Sequence, residues 1–145
     1  MKRPARWLLA LILVLDFAPA RADHAMLGYG PSITVLEDNG GNTFEYRRSA
    51  RSLRRFRGNV IISGSCLSSC VAYIGLPNAC VTRDARLMFH QARAATEELR
   101  RAGEDAILSG LPPRLATYWR ACIVHGFDCW MTGADAIAMG ARECR

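Results

Sequence analysis

Two short stretches carry residues that can do chemistry together. Gly64-Ser65-Cys66-Leu67-Ser68-Ser69-Cys70 sets three hydroxyls after an apolar run, and Arg86-Leu87-Met88-Phe89-His90-Gln91 ends a second apolar run on a histidine. A serine hydroxyl is a weak nucleophile until a base takes its proton, and imidazole is the side chain suited to that task near neutral pH. A turn from a strand into a helix helps. It holds the hydroxyl outside the sheet and aims the first backbone N–H groups of the helix at the reacting oxygen. Ser68 fits such a turn; Ser65 and Ser69 are rivals that spacing alone does not separate. The stretch is not G-x-S-x-G, so the nucleophile elbow of α/β-hydrolases is not matched. His90 falls at the C-terminal end of its strand, where layered sheets keep their sites.

The compartment follows from the N-terminus and the cysteines. Lys2, Arg3 and Arg6 precede an apolar run from Trp7 to Phe17 that is interrupted by Asp16. Ala20-Arg21-Ala22 then offers small residues at the spacing a signal peptidase reads. The run is far shorter than the roughly twenty residues that span a bilayer. The expectation is a cleaved signal peptide over residues 1–22 and a single domain over 23–145. The leader holds four basic residues and one acid, half of the +6 formal charge, so the remainder is only mildly basic and a polyanion-binding or nucleic-acid role loses support. Cys66, Cys70, Cys80, Cys122, Cys129 and Cys144 form an even set, which behind a leader reads as disulfides in an oxidising compartment, periplasmic or secreted. Fifteen pairings are open. Cys66–Cys70 is one hypothesis, because it would brace Ser68 between them. No C-x-x-C pair or histidine cluster points to a metal, and no cofactor motif occurs.

These stretches need elements to position them. Ile33–Leu36 is a β-rich run ended by the turn residues Asp38-Asn39-Gly40-Gly41-Asn42. Thr43 is a plausible N-cap for a helix whose apolar face is Tyr46, Ala50, Leu53 and Phe56. Arg47, Arg48, Arg51, Arg54 and Arg55 fall on its other side and read as a solvated face. Asn59–Ser63 is a strand, apolar on both faces in its middle as a covered parallel strand would be, and Gly64 closes it. A short helix runs from about Ser69 to Ile74, and strands follow at 79–82 and 87–90. Residues 94–108 are helical, Pro112-Pro113 opens a further helix, 126–130 is a loop, and Thr132–Asp135 is a capping box for a last helix ending at Gly140. This alternation predicts one α/β layered domain with right-handed crossovers.

Four motifs in order resemble the Clp protease proteolytic-subunit family of the crotonase-like superfamily: Asp38-Asn39-Gly40-Gly41, Gly64-Ser65-Cys66-Leu67-Ser68, Arg86-Leu87-Met88-Phe89-His90-Gln91, and Asp128-Cys129-Trp130-Met131-Thr132-Gly133-Ala134-Asp135-Ala136. The resemblance covers about Ile33 to Glu143, and the C-x-S-x-C form is similar to that of exported relatives. It implies a ClpP/crotonase-like fold of repeated strand–helix units, truncated at the N-terminus. It further implies Ser68 as nucleophile, His90 as base and Asp128 as the acid that orients it, with Gly41 and Ser69 giving oxyanion-hole N–H groups. Glu143, Asp135 and His125 are less well placed alternatives. The activity implied is peptide-bond hydrolysis through an acyl-enzyme on peptides or unfolded segments, with no cofactor and no ATPase partner; the alternative is an inactive exported binding or scaffold protein. The chain departs from the pattern where Asp38-Asn39 replaces Ser-Pro, and where the connection from His90 to Asp128 is short. That puts a projecting handle and a ring assembly in doubt.

Overall fold

A computed structural model of the chain describes residues 26–27 and 32–145; the expected leader lies outside them. Strands β1 (Met26–Leu27), β2 (Ser32–Asp38), β3 (Asn59–Leu67), β4 (Ala79–Val81), β5 (Arg86–Phe89) and β6 (Cys129–Thr132) form one sheet in the order β1-β2-β3-β5-β6. Helices α1 (Thr43–Leu53), α2 (Glu97–Leu108), α3 (Pro113–Ile123) and α4 (Gly133–Ala138) and a 3₁₀ helix (Ser68–Gly75) complete the domain. The α/β layered reading therefore holds.

β3 is the spine. β2 runs parallel along one side of it, while its other side is shared: Val60–Ile62 pair with β4 and Ser65–Leu67 with β5, both parallel. β6 closes that side antiparallel to β5. Val60, Ile62 and Cys66 alternate into the core and are fully buried, and Val71, Tyr73, Leu87, Leu115 and Trp119 pack in the same cluster. Ile61 is only half-buried, so the second face of β3 is less covered than its apolar sequence implied.

Several boundaries differ from the sequence reading, for physical reasons. Gly64 does not end β3. The β2–β3 register slips between Val35 and Glu37, and a side chain at Gly64 would lie 1.8 Å from the Leu36 carbonyl oxygen. The glycine thus permits close strand approach at a bulge rather than stopping the strand. Asn42, not Thr43, caps α1: its Oδ1 accepts from the N–H groups of Phe44 and Glu45. α2 begins only at Glu97, where Thr96 supplies the cap, so residues 90–95 lie outside any helix or strand. Cys129 and Trp130 belong to β6 rather than to a loop. Cys129 and Met131 turn inward while Trp130 lies outside beneath the Arg86 guanidinium. The capping box between Thr132 and Asp135 forms as expected. The arginines of α1 are exposed and make no ion pair among the described residues.

All six cysteines are paired: Cys66–Cys70, Cys80–Cys144 and Cys122–Cys129, with Cα separations of 5.3, 4.9 and 6.0 Å. These fall in the usual range for a disulfide and fit an oxidising environment. The bridge between Cys66 and Cys70 brackets Ser68.

Candidate active site

The parallel strands β2, β3 and β5 end side by side. Asp38 pairs with Cys66 and Leu67 with Met88, so the residues that follow each strand emerge at one edge of the sheet. Gly40-Gly41, Ser68-Ser69 and His90 occupy those positions, and all five line one cleft of about 540 Å3. That size lies within the range of ligand sites, roughly 300–1,000 Å3. Asn39, Asn42, Thr43, Phe44, Phe89, Ala92, Arg93, Ala94, Ala95, Leu99 and Gly103 complete the lining.

Ser68 sits at the turn from β3 into the 3₁₀ helix with φ 55°, the sole positive φ at a described residue other than glycine. Such a conformation is disfavoured for a side-chain-bearing residue and persists only where its surroundings impose it. Two constraints do so. The Cys66–Cys70 bridge spans the turn, with both cysteines fully buried. Gly40, itself at φ 77°, packs closely on it: a Cβ there would fall 2.6 Å from the Leu67 carbonyl oxygen, 2.7 Å from Ser68 Cβ and 2.8 Å from the Ser69 nitrogen.

The rival serines are placed differently. Ser65 lies within β3, paired with Glu37 and Arg86, and does not line the cleft. Ser69 is buried and its hydroxyl donates to the Gly41 carbonyl at 2.7 Å. That bond ties the Gly40-Gly41 turn to the start of the 3₁₀ helix. The N-terminus of α1, with its partial positive charge, opens on the same cleft through Gly41, Asn42 and Thr43.

Asp38, read from the sequence only as a turn residue, holds this turn together. Asp38 is 3% exposed. Its Oδ1 accepts from the Gly40 N–H at 2.8 Å and from the Tyr46 hydroxyl. Tyr46 in turn meets Tyr73 with ring centroids 5.5 Å apart. Burial, reinforced by Asp38, pushes the Tyr46 phenol far above its ordinary value; the same two causes push Tyr73 up to about 12. The available signal was an aspartate two residues before a glycine, the Asx-turn spacing.

His90 follows β5 and is half-buried. Its strand is anchored beneath by Phe89, whose ring meets Trp119 at 5.7 Å. The ring Nδ1 lies 2.7 Å from the Gln91 carbonyl oxygen. A carbonyl only accepts, so Nδ1 is the donor in this contact, which leaves Nε2 as the ring nitrogen not engaged by it. The segment beyond is tethered by Glu104 of α2, which is buried and accepts from the Ala92 N–H at 3.0 Å while both its oxygens take the Arg100 guanidinium at 2.7 and 2.8 Å. Nothing in the local sequence of His90 points to Glu104, fourteen positions away on another element.

Asp128 stands apart from this group. Continuing the β5–β6 register by one step from Phe89–Cys129 sets it opposite His90, yet it is exposed, lines no part of the cleft and makes no hydrogen bond to the imidazole. Asp135 is engaged with Thr132, whose hydroxyl and N–H hold its carboxyl below the usual range. Glu143 pairs with Arg83, and His125 lies in an exposed loop beside Phe127. None of these lines the cleft. With Cys66 and Cys70 bonded to each other, neither offers a thiolate. Among the described residues no cluster of three or more His, Cys, Asp or Glu side chains could hold a metal.

No protein-family model matches the sequence, and no curated protein does. Solved structures do match. A ClpP protease catalytic domain from Plasmodium falciparum superposes with TM-score 0.53 at 16% identity, over 77% of this chain and 65% of that one. A peptidase from the same organism gives 0.54 at 5% identity, over 77% and 74%. A ClpP1 mutant from Listeria monocytogenes gives 0.54 at 17%, over 79% and 75%. The fold is thus ClpP-like, in a chain that spans just under two thirds of the first of these domains.

Proposed function

We propose that this protein is an exported serine hydrolase, a peptidase in which Ser68 attacks a substrate carbonyl and His90 takes its proton. The observation that carries the reading is the meeting of a strained Ser68, a histidine whose Nδ1 is held by the Gln91 carbonyl and the Gly40-Gly41 turn in one cleft at the carboxyl edge of the sheet. In this mechanism the Ser68 oxygen bonds to the carbonyl carbon and its proton passes to His90 Nε2. The resulting oxyanion is held by the N–H groups of Gly41 and Ser69. The imidazolium then protonates the leaving amine, and water, activated by the same histidine, releases the acyl group.

The Gln91 carbonyl holds the tautomer, and Asp128 adds its charge from the end of β6. The substrate is a peptide or unfolded segment, and the disulfides fit a periplasmic or secreted setting reached after removal of residues 1–22. An intact mass starting at Asp23 and six hydrogens light checks both the leader and the bridges.

A fluorophosphonate probe tests the mechanism. The folded, oxidised protein is expected to label at Ser68, and both Ser68→Ala and His90→Ala to abolish labelling. Because Asp128 is exposed and its charge is screened, Asp128→Asn is expected to slow labelling only up to about fivefold, far less than the roughly 10⁴-fold known for a buried triad acid. A second reading, a binding protein that keeps the fold without turnover, is favoured by the hydrogen bond of His90 to a carbonyl in place of Asp128. Absence of labelling in folded, oxidised protein supports it.

A further inference from the structure

We infer that the cleft selects peptides in which an apolar side chain sits beside a negative charge, with Arg93 as the residue that reads the charge. The inference rests on the peptidase reading of the same site. It starts from the charge balance of the lining. Among the described residues that form the cleft, Arg93 is the one with a permanent charge, and no carboxylate lines it. Asp38 lies buried under the Gly40 turn, and Glu97 at the start of α2 is committed to Arg100 and Arg101. Arg93 itself is exposed and makes no hydrogen bond or ion pair among the described residues, whereas Arg100, Arg101 and Arg120 are each paired with an acid. Its guanidinium is therefore available to a ligand carboxylate, for which its planar fork is well matched.

The rest of the lining supplies the apolar part. Phe44 and Leu99 are about half exposed on the cleft, and the exposed Ala94 and Ala95 join them. An apolar side chain of the substrate would cover these surfaces, which water now wets. In about 540 Å3 there is room for two or three residues around the scissile bond, so a carboxylate one or two residues from Ser68 stays within reach of Arg93. An acidic side chain and a free chain terminus share this chemistry; the assay below separates them.

The test uses the full oxidised protein and matched fluorogenic peptides with leucine at the scissile position. One pair differs in an N-terminal succinyl against an acetyl group, a second in a C-terminal acid against an amide, and a third in an internal Glu against Gln. In at least one pair the charged member is expected to be cleaved about fivefold faster in kcat/KM, the effect shrinking in high salt. The pair that responds identifies the source of the carboxylate. Arg93→Ala should remove the preference within the responding pair and Arg93→Glu reverse it. Arg93 is exposed and unpaired, so an unaltered melting temperature is expected in both variants. Equal rates within all three pairs, or a preference that survives Arg93→Ala, would overturn the inference alone. Absence of cleavage together with absence of Ser68 labelling would overturn the peptidase reading and the inference with it.

Discussion

The two walls of the cleft are built by different means. On the serine side every part is locked: a disulfide across the turn, a glycine pressed on it, a Ser69–Gly41 hydrogen bond, and a buried aspartate holding Gly40 and Tyr46. On the histidine side, residues 90–95 are an irregular segment tied by one carbonyl bond to the imidazole and one carboxylate bond to Ala92. The first wall stores the backbone strain; the second rests on polar contacts that water can replace. A strained nucleophile needs rigid support. A base that takes and returns a proton can tolerate more freedom. The expectation is that changes to the serine wall cost both stability and activity, while changes to the histidine wall cost mainly activity.

The largest effect should come from Gly40→Ala. The new methyl would meet two backbone atoms and Ser68 Cβ within 2.8 Å, at a φ of 77° that alanine disfavours. Steric strain and overpacking together predict a loss of about 2–4 kcal/mol and no fluorophosphonate labelling. Chemical denaturation and probe kinetics on the same preparation check it. Labelling within tenfold of the parent would break the claim that this wall is rigid.

Replacing both Cys66 and Cys70 by alanine comes next. The bridge closes a loop with a sequence separation of only 4, for which chain entropy gives about 2 kcal/mol. Cys80–Cys144, with a separation of 64, should matter more for stability, about 4 kcal/mol, and less for labelling of the fraction that remains folded. The pair of double variants therefore separates a brace at the site from a staple of the fold. If both lower labelling only in proportion to unfolding, the Cys66–Cys70 bridge has no special hold on Ser68.

On the opposite wall, Glu104→Ala should cost about 1–3 kcal/mol, because it leaves the Ala92 N–H without its acceptor and removes one of the two carboxylates that hold a largely covered Arg100. Glu104→Gln keeps an oxygen for Ala92 and should recover much of the labelling. A slower labelling rate in Glu104→Ala, seen below its melting temperature and rescued in Glu104→Gln, is the signature of a loosened histidine segment.

The same contrast governs what could be read in the sequence. The serine wall was largely legible, because its parts are local. Glycines at 40 and 41 announce a turn, and the cysteines flanking Ser68 announce a clasp. Even there, the helix cap moved from Thr43 to Asn42, and Gly64 proved to be a point of close approach. Both outcomes depend on backbone geometry that residue type alone does not fix. The histidine wall was mostly hidden. The strand carrying His90 was visible as an apolar run, but its supports come from Gln91's main chain, which any residue offers, and from Glu104 on another helix. Asp128 had a register position set by β6, a strand that read as a loop because its Cys129-Trp130 start follows Gly126-Phe127-Asp128. Motif order does not encode whether the Asp128 carboxylate hydrogen-bonds to the imidazole, and here the imidazole bonds to the Gln91 carbonyl.

The smallest effect concerns the network under the serine wall and appears only in alkali. Tyr46 and Tyr73 are both held protonated by burial first and by Asp38 second, Tyr73 up to about 12. In the unfolded chain their phenols ionise near 10. A group whose pKa is raised by folding binds its proton more tightly in the folded state. Its stabilisation is therefore complete below pH 10 and is lost as pH climbs towards 12. Denaturation midpoints measured at pH 8 and pH 11 should differ by on the order of 1 kcal/mol from this source. Tyr46→Phe removes one of the two ionisations and should flatten that slope, while also freeing Asp38 from one donor and lowering the labelling rate modestly at neutral pH. An alkaline slope unchanged in Tyr46→Phe would mean that the Asp38–Tyr46–Tyr73 network does not govern the rigidity of this wall, and would leave the disulfide and Gly40 to account for it alone.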